Sequence, residues 1–302
     1  MTDPIRVGTR RSALARAQTE LVVRRLRRAD PNATFEVVAV DSAGDRDRSG
    51  RSAPDFTGKF EEMLDRGRID LAVHSAKDLP ARTGSPFAIV AYPPRADPRD
   101  CFVARKDLDP LRLPPRARIG SSSLRRRAQL LRWRPDLRVH EIRGNVDTRI
   151  ALVRTGVIDA IVVAVAGMTR LGRRSEISGL LPSRRFLPAP GQGALALEAR
   201  RGDRRVGRIA ARIDAPGVHA AVTAERELTA ALGGDCNLAL GALARIRSGR
   251  LVLRAEVLSP DGTITLTASG NDSPGRAASL GRRVGKALGD AGARELLAQT
   301  IR

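Results

Sequence analysis

Short apolar runs alternate with helical stripes along the first two thirds of the chain. "IRVGTR" (5–10) reads as a strand, and Ser12 is placed to cap the helix behind it. Leu14, Ala17, Leu21, Val22 and Leu26 recur at helical spacing there. "TFEVVAV" (34–40) is a second strand, followed by the Gly-, Ser- and charge-rich stretch "DSAGDRDRSGRSAPD". A short helix over 60–67, closed by Gly67, leads to a buried strand at 69–74. "PFAIVAYPP" and "CFVAR" add strands on either side of the loop 95–100. The alternation resumes with "RIG", a turn at Ser121–Ser123 and a helix carrying Leu124, Ala128 and Leu131 on one face. "LRVHEIRGN" gives a strand and then a helix from Asn145 to Arg154, and "IDAIVVAVAGMTRLG" predicts a strongly buried strand ending at Gly167. Strands alternating with helices imply βαβ units and largely parallel sheets. After "LPAPGQGALALEAR" (187–200) the pattern changes to a helix over 218–232 and then strand–turn–strand. Gly249 and Asp261-Gly262 mark hairpin turns, and a final helix covers about 275–298, so a small α+β domain ends the chain.

The 302 residues suffice for two or three domains, and with 42% hydrophobic residues a sizeable core is available. No apolar run reaches the roughly 18–20 residues of a membrane span, and "MTDPIRVGTR" has no apolar signal region. Two distant cysteines, Cys101 and Cys236, argue against a disulfide framework and fit a reducing cytosol. No CxxC pair and no histidine cluster exists (only His74, His140 and His219), so no metal site is expected. The formal charge of +21 invites a polyanionic partner. Aromatic residues make up only 3%, however, so the stacking platforms of single-strand binders are missing and no nucleic-acid partner is expected. Lysine stands only at 59, 77, 106 and 286 in a chain otherwise served by arginine, which makes any single arginine weak evidence.

Candidate chemistry gathers where strands pass into helices. One junction holds Arg10 and Ser12; a second, "VHSAKDLP" (73–80), holds Lys77 and Asp78. A third holds Ser121, Ser122, Ser123, Arg125 and Arg126, and a fourth Arg143, Asn145 and Arg149. Open α/β sheets place ligands outside the carboxyl ends of their strands. Helix N-termini there accept anions, and hydroxyls and guanidinium forks add specific bonds to carboxylate or phosphate. Taken singly, each junction also reads as an ordinary capped helix in an arginine-rich chain; four together point to a ligand with several negative charges. Phosphate stays open as the anion, although neither GxxxxGK[ST] nor a well-placed GxGxxG occurs. Asp78 is the odd member, the one acid of the group, suited to stabilising a developing cation; a plain Lys–Asp surface pair is the competing reading. Cys236 lies on a glycine turn without a partner cysteine, accessible to electrophiles, whereas Cys101 opens an apolar strand and reads as core.

"TRRSALARAQ", "HSAKDLP", "DPRD", "GSSSLRR", "RGNVDTR", "AVAGMTRLG", "LPAPGQGALALE" and "TAERELTAALGGDC" occur in the order and spacing of the hydroxymethylbilane synthase (porphobilinogen deaminase) family, and the resemblance spans essentially the whole chain. It implies an α/β fold with two periplasmic-binding-protein-like domains around a cleft, 1–93 with a returning segment at about 194–211, and 99–188. A small C-terminal α+β domain, 216–302, would carry the cofactor cysteine. It implies a dipyrromethane cofactor joined covalently to Cys236 and condensation of four porphobilinogen units with loss of ammonia, leaving an electrophilic azafulvene each time. By the same resemblance Asp78 is the catalytic carboxylate. Lys77, Asp45, Ser122, Ser123, Arg125 and Arg126 match cofactor contacts, and Arg10, Ser12, Gln18, Arg143, Arg149 and Arg170 substrate contacts. A cytoplasmic monomer, with porphobilinogen as its small-molecule partner and no nucleic acid or membrane, is also implied.

The chain departs from the family pattern at two places. The stretch "DRDRSGRSAPDFTGKFEE" is shorter than the usual Gly- and Lys-rich loop and sets Lys59 in a different register. The cysteine loop reads "GGDCNLALG", with Asp235 beside the thiol and Ala239 where proline is expected; a neighbouring carboxylate disfavours the thiolate and slows alkylation. A divergent paralogue that binds a polyanionic small molecule with weak or no turnover is therefore the alternative reading.

Overall fold

The computed structural model describes residues 3–40, 57–81, 86–105, 112–233 and 238–298. The chain forms two compact units, Met1–Arg95 with Ala194–His219, and Ala96–Gly193 with Ala220–Arg302.

In the first unit, β1 (Ile5–Arg10), β2 (Phe35–Val40), β3 (Leu71–Ser75), β4 (Phe87–Ala91) and β10 (Leu195–Arg200) form a sheet in the order β2-β1-β3-β10-β4. β1 runs parallel to β2 and β3, whereas β10 returns antiparallel between β3 and β4. Helix α1 (Ala13–Ala29) and helix α6 (Arg204–Ala211) supply Val22, Val23, Leu26, Val206 and Ala210 to a core with Val7, Leu71, Val73 and Leu197. Helix α2 (Gly58–Asp65) buries Phe60 and Leu64 against Val40, Ile69 and Ala72. With helices on both faces the inner strands read as apolar runs rather than alternating ones.

The second unit begins with β5 (Asp100–Ala104), β6 (Arg118–Gly120), β7 (Arg138–His140), β8 (Ala160–Ala164) and β9 (Gly179–Leu180), ordered β7-β6-β8-β5-β9. β6 is parallel to β7 and β8, and β5 is antiparallel to β8. Helix α3 (Leu124–Trp133), helix α4 (Val146–Arg154) and helix α5 (Val165–Arg170) follow β6, β7 and β8. The long strand expected to end at Gly167 stops at Ala164: its partner β5 begins at Asp100, opposite Ala164, and beyond that point the chain has no ladder to extend and turns into α5.

The same unit ends in an antiparallel meander, β11 (Leu240–Arg247), β12 (Arg250–Leu258) and β13 (Thr265–Asp272). Helix α7 (Pro216–Ala231), helix α8 (Ala277–Asp290) and helix α9 (Ala293–Ala298) accompany it. Leu228, Leu240, Leu253, Val257, Leu280, Val284 and Leu296 are buried in its core. The single final helix expected over 275–298 is two helices, because Gly292 takes a left-handed φ of +92° and closes the first. The mixed α/β class with a small C-terminal α+β part is the one the sequence pattern implies.

Gly281 and Gly285 let the backbone of α8 lie close on α7: a Cβ at Gly281 would stand 2.3 Å from the Ala224 carbonyl oxygen, and one at Gly285 2.7 Å from the Ala231 Cβ. Replacing Gly281 by alanine should therefore lower stability by about 1–3 kcal/mol, typical of overpacking. Urea unfolding should show a lower midpoint with an unchanged slope; an unmoved midpoint would mean that the two helices are not in this contact.

Candidate functional site

The candidate residues of the first unit come from the carboxyl ends of β1 and β3. β1 ends on Arg10, and Ser12 caps α1, its Oγ accepting the Ala15 N–H at 3.3 Å. β3 ends at Ser75, after which Ala76–Asp78 make one 3₁₀ turn stopped before Pro80. The buried Gln18 of α1 reaches over and donates from Nε2 to Ser75 Oγ at 2.9 Å. Arg10, Ser12, Gln18, Ser75 and Asp78 line one pocket of about 60 Å³. Lys77 follows on the same turn and is half-buried. Next to this wall, His74 and Glu198 form a buried pair, Nε2 to Oε2 at 3.0 Å, with the Phe60 ring edge-on to the imidazole. No local pattern signals this pair, since Glu198 lies 124 positions from its partner.

In the second unit the carboxyl ends of β6 and β7 converge. Ser123 caps α3, accepting the Arg126 N–H at 3.4 Å, and Asn145 caps α4, accepting the Thr148 N–H at 2.9 Å. Gly144 has a left-handed φ of +101°, and a Cβ there would press on the Thr148 side chain at 3.0 Å. Arg149 donates to the Gly144 carbonyl at 2.9 Å and to Ser122 Oγ at 3.2 Å, so the third and fourth junctions of the sequence form one locus. Burial and then the charge of Arg126 push the Arg149 guanidinium below its ordinary pKa. Arg143 makes an exposed pair with Glu141 at 2.9 Å. Arg170, on α5, donates to the Gly193 carbonyl at 2.7 Å.

Arg125 and Arg126 point inward. The helical spacing predicts an apolar stripe of Leu124, Ala128 and Leu131 on α3; the buried set is Arg125, Arg126, Ala128, Gln129 and Leu130. Asp100, fully buried at the start of β5, accepts Arg126 Nε at 3.0 Å and Nη2 at 2.7 Å on Oδ1, and its Oδ2 lies 2.8 Å from Arg125 Nη1. Arg125 also donates to the Leu187 carbonyl at 2.6 Å. Burial alone would raise the Asp100 pKa; the two guanidiniums override it and hold the value at about 2. Nothing local in "DPRD" says that its second acid is buried beneath two arginines.

Of the remaining candidate residues, Asp45 and Cys236 lie outside the described residues. Cys101 is buried and its thiol is pushed up to about 12, chiefly by burial, so it is a packing residue and not a nucleophile. Lys59 pairs with Glu62 at 2.6 Å. Among the described residues there is no cluster of three or more metal-ligating side chains and no helix long and apolar enough to cross a membrane.

Two sheets of largely parallel strands flanked by helices, with arginines and serines at their strand ends, and a three-stranded antiparallel sheet in the second unit define a mixed α/β protein. Residues 5–208 match the family model "Porphobilinogen deaminase, dipyromethane cofactor binding domain", and residues 219–290 match "Porphobilinogen deaminase, C-terminal domain". The chain is 42% identical to the porphobilinogen deaminase of Thermus thermophilus, over 97% of this chain and 98% of that one. It is also 42% identical to that of Roseiflexus castenholzii, over 99% and 100%. The solved aliphatic sulphonate binding protein SsuA of Escherichia coli aligns at a TM-score of 0.42 and 13% identity, over 76% of this chain and 70% of that one. The chain belongs to the porphobilinogen deaminase family.

The buried carboxylate has a consequence for acid stability. A carboxylate held at about 2 when folded and near 3.9 when unfolded stabilises the fold in full above pH ~4 and loses that contribution as pH falls toward 2. The loss should be roughly 2–3 kcal/mol. Urea unfolding at pH 5 and pH 2.5 should show wild type losing more stability than Asp100→Asn between the two; equal losses would mean that Asp100 is not ionised under the arginines.

Proposed function

We propose that the chain is a hydroxymethylbilane synthase, a transferase that joins four porphobilinogen molecules head to tail, releases one ammonia per unit and, when water cleaves the finished chain from the enzyme, yields linear hydroxymethylbilane for tetrapyrrole (haem) biosynthesis. The observation that carries the reading is the pocket in which one carboxylate, Asp78, shares its walls with Arg10, Ser12 and Gln18. Porphobilinogen brings an acetate, a propionate and a leaving ammonia on one pyrrole. Such a substrate needs cations and hydroxyls for its carboxylates and one anion for the positive charge that develops on its ring.

The residues present fit a dipyrromethane with its own acetates and propionates. Arg125 Nε is buried without an acceptor among the described residues. Ser122, Ser123, Arg126 and Lys77, with Asp45 and the attachment residue Cys236 in the segments not described, complete the set we assign to the cofactor. When bound, the dipyrromethane supplies the pyrrole end from which the product grows. Arg10, Ser12, Gln18, Arg143, Arg149 and Arg170 are assigned to substrate and growing-chain carboxylates. As the C–N bond of the aminomethyl group breaks, ammonia leaves with the electron pair. The Asp78 carboxylate then faces the cationic pyrrole and takes the proton that each condensation sets free.

We read the protein as a cytoplasmic monomer that works on porphobilinogen without nucleic-acid or membrane partners. Its parts are 1–93 with 194–211, 99–188 and 216–302, the last carrying the cysteine. A non-catalytic paralogue is not favoured: both family models together cover nearly the full chain. Asp78→Ala should remain folded by circular dichroism and lose tetrapyrrole formation by at least about 100-fold, the usual cost of removing one preorganised electrostatic group. Activity within a few-fold of wild type would place the reacting centre elsewhere.

A further inference from the structure

The arginine locus of the second unit is out of electrical balance. Asp100 is 0% exposed, Arg125 2% and Arg126 6%, so one carboxylate sits under two guanidiniums; the buried Glu256 also acts on Arg125, but it pairs with a third guanidinium, Arg132, at 2.8 Å, and Arg149 is close enough to feel the charge of Arg126. A buried cation without a counter-charge is costly and persists only where something compensates it. A residue present only to neutralise an arginine would pair with one. Asp100 instead divides its two oxygens, Oδ1 accepting the Arg126 fork at two points and Oδ2 facing Arg125. It is itself oriented from behind: Gln192 Nε2 donates to Oδ1 at 3.0 Å and to the Pro98 carbonyl at 2.7 Å. The neighbouring Gly191 N–H is held by the buried Glu225 of α7, whose other oxygen accepts the Ala244 N–H, at 2.6 and 2.7 Å. A line of buried polar contacts thus runs from the helix that leads toward the cysteine loop to the guanidinium plane of Arg126.

We propose that Asp100, oriented by Gln192, is the positioning residue of this anion receptor: it fixes the planes of Arg125 and Arg126 while leaving the locus a surplus of positive charge for the carboxylates of the dipyrromethane. The inference rests on the function proposed above. Asp100 touches neither cofactor nor substrate; it acts through the arginines. Losing it frees two guanidiniums to turn away from one another and removes charge-assisted bonds that set their geometry.

The test is cofactor loading rather than turnover. Apoprotein is incubated with porphobilinogen, and the gain of a covalent dipyrromethane is followed by intact mass, for wild type, Asp100→Asn and Asp100→Glu, with the folded fraction read by circular dichroism. At equal folded fraction, Asp100→Asn should raise the porphobilinogen concentration for half-maximal loading by about tenfold or more, the usual scale for a lost charge-assisted bond. The maximal loading rate should change far less, and Asp100→Glu should recover part of the loss. Loading of Asp100→Asn at the wild-type concentration overturns the proposal, as does a loss confined to the folded fraction. If Asp100→Asn does not fold, Gln192→Leu decides: a several-fold rise in the half-maximal concentration supports the proposal and a wild-type value overturns it. A wild type that gains no mass overturns the functional reading and this inference with it, whereas a normally loading wild type beside a normally loading Asp100→Asn overturns the inference alone.

Discussion

Parallel strands that stop at one edge of a sheet leave helix N-termini and short loops together there, and this constraint places the candidate chemistry of both units. Arg10 and Ser12 follow β1, and Ser75 to Asp78 follow β3; Ser121 to Ser123 follow β6, and Arg149 follows β7. Each side chain is thereby fixed to a rigid element rather than to a long loop. The caps Ser12, Ser123 and Asn145 satisfy orphan N–H groups of their helices and at the same time set where the next arginines stand. One local rule builds two polar strand-end edges from unrelated residues.

The second edge depends on a charge in the interior. Burying an arginine without a partner is prohibitive, and burying two over a single carboxylate leaves a deficit of negative charge that water cannot reach. Such a site is suited to a polycarboxylate that arrives and stays. The first edge has the opposite arrangement, one acid among hydroxyls, an amide and a guanidinium, suited to a group whose positive charge comes and goes. A reaction that holds carboxylates while it expels ammonia from a pyrrole needs both.

Much of this was legible in the order of residues. Helical and strand periods locate the alternating elements, and the strand-end rule picks out Arg10, Ser12, Lys77, Asp78, Ser122, Ser123, Arg126 and Arg149 from the order of residues alone. Long-range pairing was not legible. Asp100 reads as a loop acid in "DPRD", and only the antiparallel insertion of β5 beside β8 carries it under α3. The apolar stripe of that helix holds in part, with Ala128 buried and Leu124 packed beside it, but it does not foretell the inward turn of Arg125 and Arg126, which an ion pair formed across 26 positions brings about. His74 and Glu198 escaped notice for the same reason, and the ends of β8 and α8 were set by a missing ladder partner and a left-handed glycine rather than by the apolar pattern.

The central claim is that this chain builds and keeps a covalent dipyrromethane. Intact mass of freshly purified wild-type protein beside Cys236→Ser tests it most directly. The account predicts an added mass equal to one dipyrromethane on wild type and none on the serine variant. A wild type of unmodified mass, still unmodified after incubation with porphobilinogen, would contradict it.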